Sequence, residues 1–113
     1  MRALIPILLL SALLSCDNDL ESKVCGKNHP AEEIPWLNSL ISEMESSDPS
    51  GTIDLYRYKG QYVFLITHCS NCTDALTLAL DCEQNEICKF GGFAGFNICP
   101  DFEDKAQFIE KIL

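Results

Sequence analysis

Apolar and polar residues alternate along this chain with different periods in different stretches, and each period predicts a different kind of element. Residues 3 to 14 form an apolar run with no polar face. From Pro35 the apolar positions recur at one-turn spacing: Trp36, Leu37, Leu40, Ile41 and Met44, with Asn38, Ser39, Ser42, Glu43 and Glu45 opposite. That spacing predicts an amphipathic helix. Pro35 suits its first position, where a missing donor costs nothing, and Glu32 and Glu33 just ahead favour a helix start. Residues 47 to 51 break it with Asp48-Pro49 and Gly51. The period then falls to two. Residues 52 to 58 and 61 to 68 read as strands joined by Lys59-Gly60. A two-residue turn there sets Ile53 opposite Ile66, Leu55 opposite Phe64 and Tyr56 opposite Val63. Ile53, Leu55, Tyr62, Phe64 and Ile66 then share one face, against which the helix stripe with Trp36 packs. Further strands are expected at residues 76 to 81 and 87 to 90, on either side of the polar turn at 83 to 86. Residues 91 to 96 make a glycine-rich loop, and Asp101 is placed to cap a last helix from Phe102 to about Ile112. The expected fold is α+β: an N-terminal helix on a four-stranded antiparallel meander, closed by a short C-terminal helix.

The first run changes the picture of where the chain works. Arg2, the apolar residues 3 to 14, then Ser15 and Cys16 have the layout of a secretion signal. The run is about half the ~20 residues that span a bilayer, which disfavours a retained helical anchor. Leu13-Leu14-Ser15-Cys16 fits a lipobox, with a Leu three before the cysteine and a small residue directly before it, although Leu14 is bulkier than usual. The expectation is a signal peptide at residues 1 to 15 and an acylated Cys16 that holds the chain to a membrane. Ordinary secretion is the alternative. Residues 16 to 28 then form a polar tether, and residues 29 to 113 a single small domain. Asp17 and the acids behind it sit where lipoproteins carry sorting information: Asp17 there signals retention at the inner membrane in some bacterial groups, whereas an acidic cluster resembles a surface-export tag in others, and the outer membrane or cell surface is favoured over the inner membrane.

Charge excludes one class of partner. Cleavage after Ser15 removes Arg2 and no acid, so the 8 basic and 17 acidic residues become 7 and 17, a formal charge of −10. A surface this acidic repels nucleic acid and anionic headgroups.

Cysteines supply the candidate chemistry. Setting Cys16 aside for lipid leaves Cys25, Cys69, Cys72, Cys82, Cys88 and Cys99, an even number in an oxidising compartment. Three disulfides are expected, in one of about 15 connectivities. Cys82 and Cys88 flank a turn and could face each other, and Cys25 could tie back to Cys99. Cys69-Ser70-Asn71-Cys72 also has the spacing of a thiol oxidoreductase motif, for which residues 73 to 81 would have to be a helix. Leu76, Leu78 and Leu80 repeat by two instead, and the residues beyond Cys72 hold a glycine loop and three more cysteines. Four thiols, Cys69, Cys72, Cys82 and Cys88, with His68 as a spare ligand, would make a zinc site, but exported thiols oxidise first. No metal or cofactor is expected, and no serine or histidine sits in a recognisable catalytic motif. His29 reads as polar edge, and the acids at 101, 103 and 104 as a helix start. Phe93 and Phe96 on the glycine loop are the candidate binding residues; the loop lacks the lysine of a phosphate-binding loop.

Cys25-Gly26, Pro35-Trp36-Leu37, the hairpin from Tyr58 through Lys59-Gly60-Gln61-Tyr62 to Val63, Asp81-Cys82, Ile87-Cys88, Phe90-Gly91-Gly92-Phe93-Ala94-Gly95 and Cys99-Pro100-Asp101-Phe102 together resemble a family of small cysteine-rich bacterial lipoproteins of unknown function. The resemblance spans most of residues 25 to 102. It implies a lipid-anchored, disulfide-containing domain and no particular activity. The expected role is a non-catalytic binding or structural module of the bacterial cell envelope, with an unknown protein or envelope component as partner. The alternatives are an exported thiol-disulfide oxidoreductase using Cys69 and Cys72, and a protease-inhibitor-like module.

Overall fold

A computed structural model describes residues 23–47, 51–69, 72, 75–92 and 95–113. Two helices open the described chain, α1 at Pro30–Glu33 and α2 at Pro35–Glu45. They are separate because Pro35 disfavours the helical region for the residue before it. Ile34 is accordingly extended, at φ −89° and ψ 109°. Glu32 and Glu33 therefore lie within α1 rather than ahead of a single helix, and Glu33 Oε2 accepts a 2.7 Å hydrogen bond from the His29 backbone N–H.

Strands β1 (Thr52–Tyr58), β2 (Gln61–Thr67), β3 (Leu76–Leu80), β4 (Glu86–Gly91), β5 (Phe96–Asn97) and β6 (Gln107–Lys111) form one antiparallel sheet in the order β5-β4-β3-β2-β1-β6. The first hairpin has the expected register, with Ile53 on Ile66, Leu55 on Phe64 and Tyr56 on Val63. Its turn needs left-handed backbone at both central residues, Lys59 at φ 51° and Gly60 at φ 80°, which matches the twist of the strands it joins. Gly91 ends β4 at φ 80°, and a Cβ there would press on the Ala75 carbonyl oxygen at 2.5 Å. The glycine thus permits a close backbone approach.

The sheet has six strands rather than four. One extra strand is the two-residue β5; the other replaces most of the expected C-terminal helix. Helix α3 is a single turn, Phe102–Lys105, after which Ala106 is extended at ψ 140° and β6 pairs with β1. Phe102, Ala106, Ile109 and Ile112 do recur at helical spacing, but β1 would otherwise present an open edge. Pairing that edge satisfies a row of backbone groups that a lone short helix leaves wet. Asp101 precedes α3 without capping it: its side chain makes no cap hydrogen bond.

Each face of the sheet carries a core. On the first, Ile53, Leu55, Phe64 and Ile66 meet Leu37 and Met44 of α2, together with Val24 and Ile34. Trp36 lies edge-on to Phe64 at 5.5 Å between centroids, and its indole N–H donates to the Cys82 carbonyl at 2.9 Å. On the second face Tyr58, Val63, Ala79 and Cys88 meet Phe102.

Folded structure reaches further toward the N-terminus than residue 29. Val24 and Lys27 exchange backbone hydrogen bonds of 3.0 and 2.9 Å across Cys25-Gly26, and Val24 is buried. The end of the expected tether is therefore part of the domain.

The six cysteines among the described residues form three disulfides, Cys25–Cys82, Cys69–Cys72 and Cys88–Cys99. Neither pairing suggested from the sequence is present. Across the β3–β4 hairpin Cys88 sits opposite Ala79, which aims its sulfur into the second core toward the 98–102 segment. Cys82 lies beyond the end of β3, beside Trp36, and pairs with Cys25 against the first core. Residues 76 to 80 are strand, not the helix that a thioredoxin-like motif needs.

Candidate functional site

Alternation along β1 and β2 places Tyr56, Tyr58, Val63 and Leu65 on the second face, and β3 and β4 add Thr77 and Phe90. Among the described residues, α3 and its flanking segment alone cover this face, where α2 covers the other. A single helical turn is too short to shield the sheet. What remains is an open cleft of about 470 Å³ floored by Tyr56, Leu65, Thr77 and Phe90 and walled by Phe102, Glu103 and Ala106.

The aromatic rings stand at steep angles to one another. Phe102 is 5.3 Å from Tyr56 at 59° and 5.3 Å from Phe90 at 61°. Phe108 of β6 meets Tyr56 edge-on at 5.6 Å and is itself 58% exposed, which extends the aromatic surface toward the sheet edge. Thr77 brings little free polarity, because its hydroxyl is 2.7 Å from that of Thr67 on the neighbouring strand. Among the described residues, Glu103 is the only charged one in the lining.

Two devices hold the wall in place. The Cys88–Cys99 bridge fixes the segment before α3 to β4, with 5.6 Å between Cα atoms. The Tyr58 hydroxyl donates a 2.6 Å hydrogen bond to Asp101 Oδ1, and Lys59 Nζ lies 3.2 Å from Asp101 Oδ2. Those contacts hold the Asp101 carboxyl below its ordinary range, through the Tyr58 hydrogen bond first and Lys59 second. They push Tyr58 and Lys59 upward, in each case chiefly through the hydrogen bond to Asp101. The residue expected to cap a helix instead clasps α3 to the β1–β2 turn.

Most of the residues singled out from the sequence lie elsewhere. Cys16 and Phe93 fall outside the described residues. Phe96 is exposed on β5, with Lys89 Nζ 4.9 Å from its ring centroid, and does not line the cleft. Cys69 and Cys72 pair at the far end of β2, with Cys72 exposed, and His68 beside them is exposed. The four thiols considered for zinc are divided among three bridges. No helix among the described residues is long and apolar enough to cross a membrane. Sequence reading passed over Tyr56, Leu65 and Phe90, although a signal was present: β1 and β2 carry large apolar residues at both parities, so both faces require cover.

A family profile for a domain of unknown function, DUF6970, matches residues 39–113. The chain belongs to that family. The DUF6970 region contains the whole sheet and every residue that lines the cleft. It includes Cys82 but begins after Cys25, so the longest of the three bridges ties a segment outside the matched region onto the DUF6970 fold. No curated protein and no solved structure matches the chain.

Proposed function

We propose that this DUF6970 chain is a non-catalytic lipoprotein of the bacterial cell envelope, anchored through acylated Cys16, whose domain binds a partner in the cleft on the second sheet face. The observation that carries the reading is the cleft itself. Burying apolar surface is favourable by about 25 cal/mol per Å², and a folded domain rarely leaves several aromatic side chains around one opening without a use for them. Tyr56, Phe90 and Phe102 meet there, with the exposed Phe108 packed against Tyr56 beside the opening and one wall held by a disulfide. A rigid wall reduces the ordering cost of binding. The leader-like residues 1 to 15 and the oxidised cysteines fit an exported protein held on a membrane.

Two measurements test this. Intact-mass analysis of the protein purified from a bacterial envelope is expected to give a chain starting at Cys16 with the added mass of acyl chains; an unprocessed chain starting at Met1 would remove the anchor from the reading. Photo-crosslinking from position 108 in intact cells is expected to trap a partner that is lost in a Phe90→Asp variant that still folds. Equal trapping by both proteins would move the binding surface away from the cleft.

A second reading, thiol-disulfide exchange, draws on the short Cys69–Cys72 bridge and the exposure of Cys72. Insulin reduction in the presence of a dithiol separates the two: a Cys69→Ser/Cys72→Ser variant abolishes turnover under this second reading, whereas under the first the unmodified protein shows none.

A further inference from the structure

The three disulfides differ in what surrounds them. Cys25 packs against the first core, and Cys88 and Cys99 belong to the second, where Cys88 is fully buried. Cys69–Cys72 belongs to neither. Among the described residues Cys72 is the only exposed cysteine, whereas its partner Cys69 is half-buried. A thiolate can therefore reach the sulfur of Cys72 without any part of a core opening. The bridge also closes the shortest loop, three residues against 11 and 57, so the fold loses least when it is broken. Its reduced state remains a folded domain.

Hydrogen bonds lead from this bridge to the glycine loop. The Cys72 carbonyl accepts from the Ala75 N–H at 3.2 Å, and the Ala75 carbonyl accepts from the Gly92 N–H at 3.1 Å. The Gly92 carbonyl in turn accepts from the Gly95 N–H at 3.2 Å. Gly92 lies between Leu76 and Phe96: a Cβ there would stand 3.3 Å from Leu76 Cδ1 and 3.9 Å from Phe96 Cδ2. Both side chains are exposed, and β5, which carries Phe96, is only two residues long. The loop thus depends on the Ala75 contact more than a long strand would.

An oxidoreductase of the thioredoxin kind sets its motif at the start of a helix, which activates the attacking thiol. Residues 76 to 80 are strand here. That arrangement suits a bridge that is attacked, not one that attacks.

We propose that Cys69–Cys72 is a redox modification site, opened at Cys72 by an exported dithiol protein, and that its opening releases the glycine loop between Leu76 and Phe96. A thiolate of the reductant attacks Cys72 Sγ, the Cys69–Cys72 bond breaks, and Cys69 leaves as a thiolate that takes up a proton. The reductant's second thiolate then attacks its own sulfur in the mixed disulfide, Cys72 leaves and takes up the other proton, and the reductant becomes a disulfide. The inference rests on the exported setting of the proposed function and not on the cleft. It departs from the second reading by making the bridge a substrate.

The test treats the full chain, in an uncharged maltoside detergent, with rising dithiothreitol, blocks free thiols with N-ethylmaleimide and maps the labels by peptide mass. Cys69 and Cys72 are expected to be labelled while the other two bridges stay closed; another bridge opening first, or all three opening together, would overturn the assignment. Glutathione, a monothiol, stops at the mixed disulfide, with the adduct expected on Cys72. An adduct confined to Cys69 would overturn the attacked sulfur. Reduced thioredoxin is expected to be oxidised one for one by the chain; no more oxidation than with a Cys69→Ser/Cys72→Ser variant would overturn the protein dithiol. Amide hydrogen exchange of the selectively reduced chain is expected to lose protection at Ala75, Gly92 and Gly95 and to keep it at Leu55 and Phe64. The double serine variant is expected to show the same loss without reductant. Unchanged protection at Gly92 and Gly95 in both would overturn the release of the loop. Catalytic insulin reduction by the unmodified chain would overturn the bridge as substrate in favour of the second reading. Each measurement is made on the purified chain, so failure of the anchor or of the cleft leaves its outcome unchanged.

Discussion

Replacing Cys25 and Cys82 together by alanine opens a covalent loop of 57 residues, against 11 for Cys88–Cys99 and three for Cys69–Cys72. Closure entropy grows with the logarithm of loop length. The three bridges are accordingly worth about 4, about 3 and about 2 kcal/mol at 25 °C through their effect on the unfolded chain. The folded side adds to the first figure. Cys25 packs against the first core next to buried Val24, and the Cys82 carbonyl receives the Trp36 indole, so loss of the bridge frees the end of a segment that contributes to that core. Urea unfolding monitored through Trp36, the only tryptophan, reads this directly. With a slope of about 1 to 2 kcal/mol per M for a domain of this size, the midpoint is expected to fall by roughly 2 to 4 M in the Cys25/Cys82 variant and by roughly 1 to 2 M in the Cys69/Cys72 variant. Measured order matters more than measured size. If removing Cys69–Cys72 lowers the midpoint as much as removing Cys25–Cys82, loop closure is not what these bridges contribute, and the stated reasoning fails.

Gly60→Ala puts a Cβ at φ 80° with nothing within 4 Å, so strain alone acts. A loss of about 1 to 2 kcal/mol is expected, read as a fall in Tm of several degrees. Trp36→Phe keeps most of the packing on Phe64 but strands the half-buried Cys82 carbonyl; a loss of about 1 to 3 kcal/mol is expected in urea unfolding followed by far-UV circular dichroism for both proteins, and no change would mean that water replaces the indole. Because the Asp101 carboxyl is held below its ordinary value in the folded state, its contribution to stability is complete above the unfolded value near pH 4 and fades as pH falls through the folded one. Tyr58→Phe removes the first cause of that shift. The Asp101 pKa, followed by carboxyl carbon shifts, is expected to rise toward the ordinary range, and the acid limb of the stability curve to flatten; an unchanged pKa would assign the shift to Lys59 instead.

The acidic balance, the six cysteines that lie beyond Cys16, the register of the first hairpin and the amphipathic helix that covers it were all determined by the sequence itself. Each depends on residues close in the chain or on composition: Lys59-Gly60 sets the turn, and period-two alternation across it aligns Ile53 with Ile66 without help from elsewhere. Tertiary structure alone decided the fate of residues 106 to 112. Their apolar spacing suits a helix, yet the open edge of β1 draws them into β6, and a long-range row of hydrogen bonds outweighs local preference. It also decided the bridges, because which sulfur meets which follows from the side of the sheet that each occupies, with Cys88 opposite Ala79 on one face and Cys82 beside Trp36 toward the other. The cleft came from the same source. Tyr56, Phe90 and Phe102 are dispersed along the chain and are brought together by the sheet order and by the single turn of α3 that lies over this face.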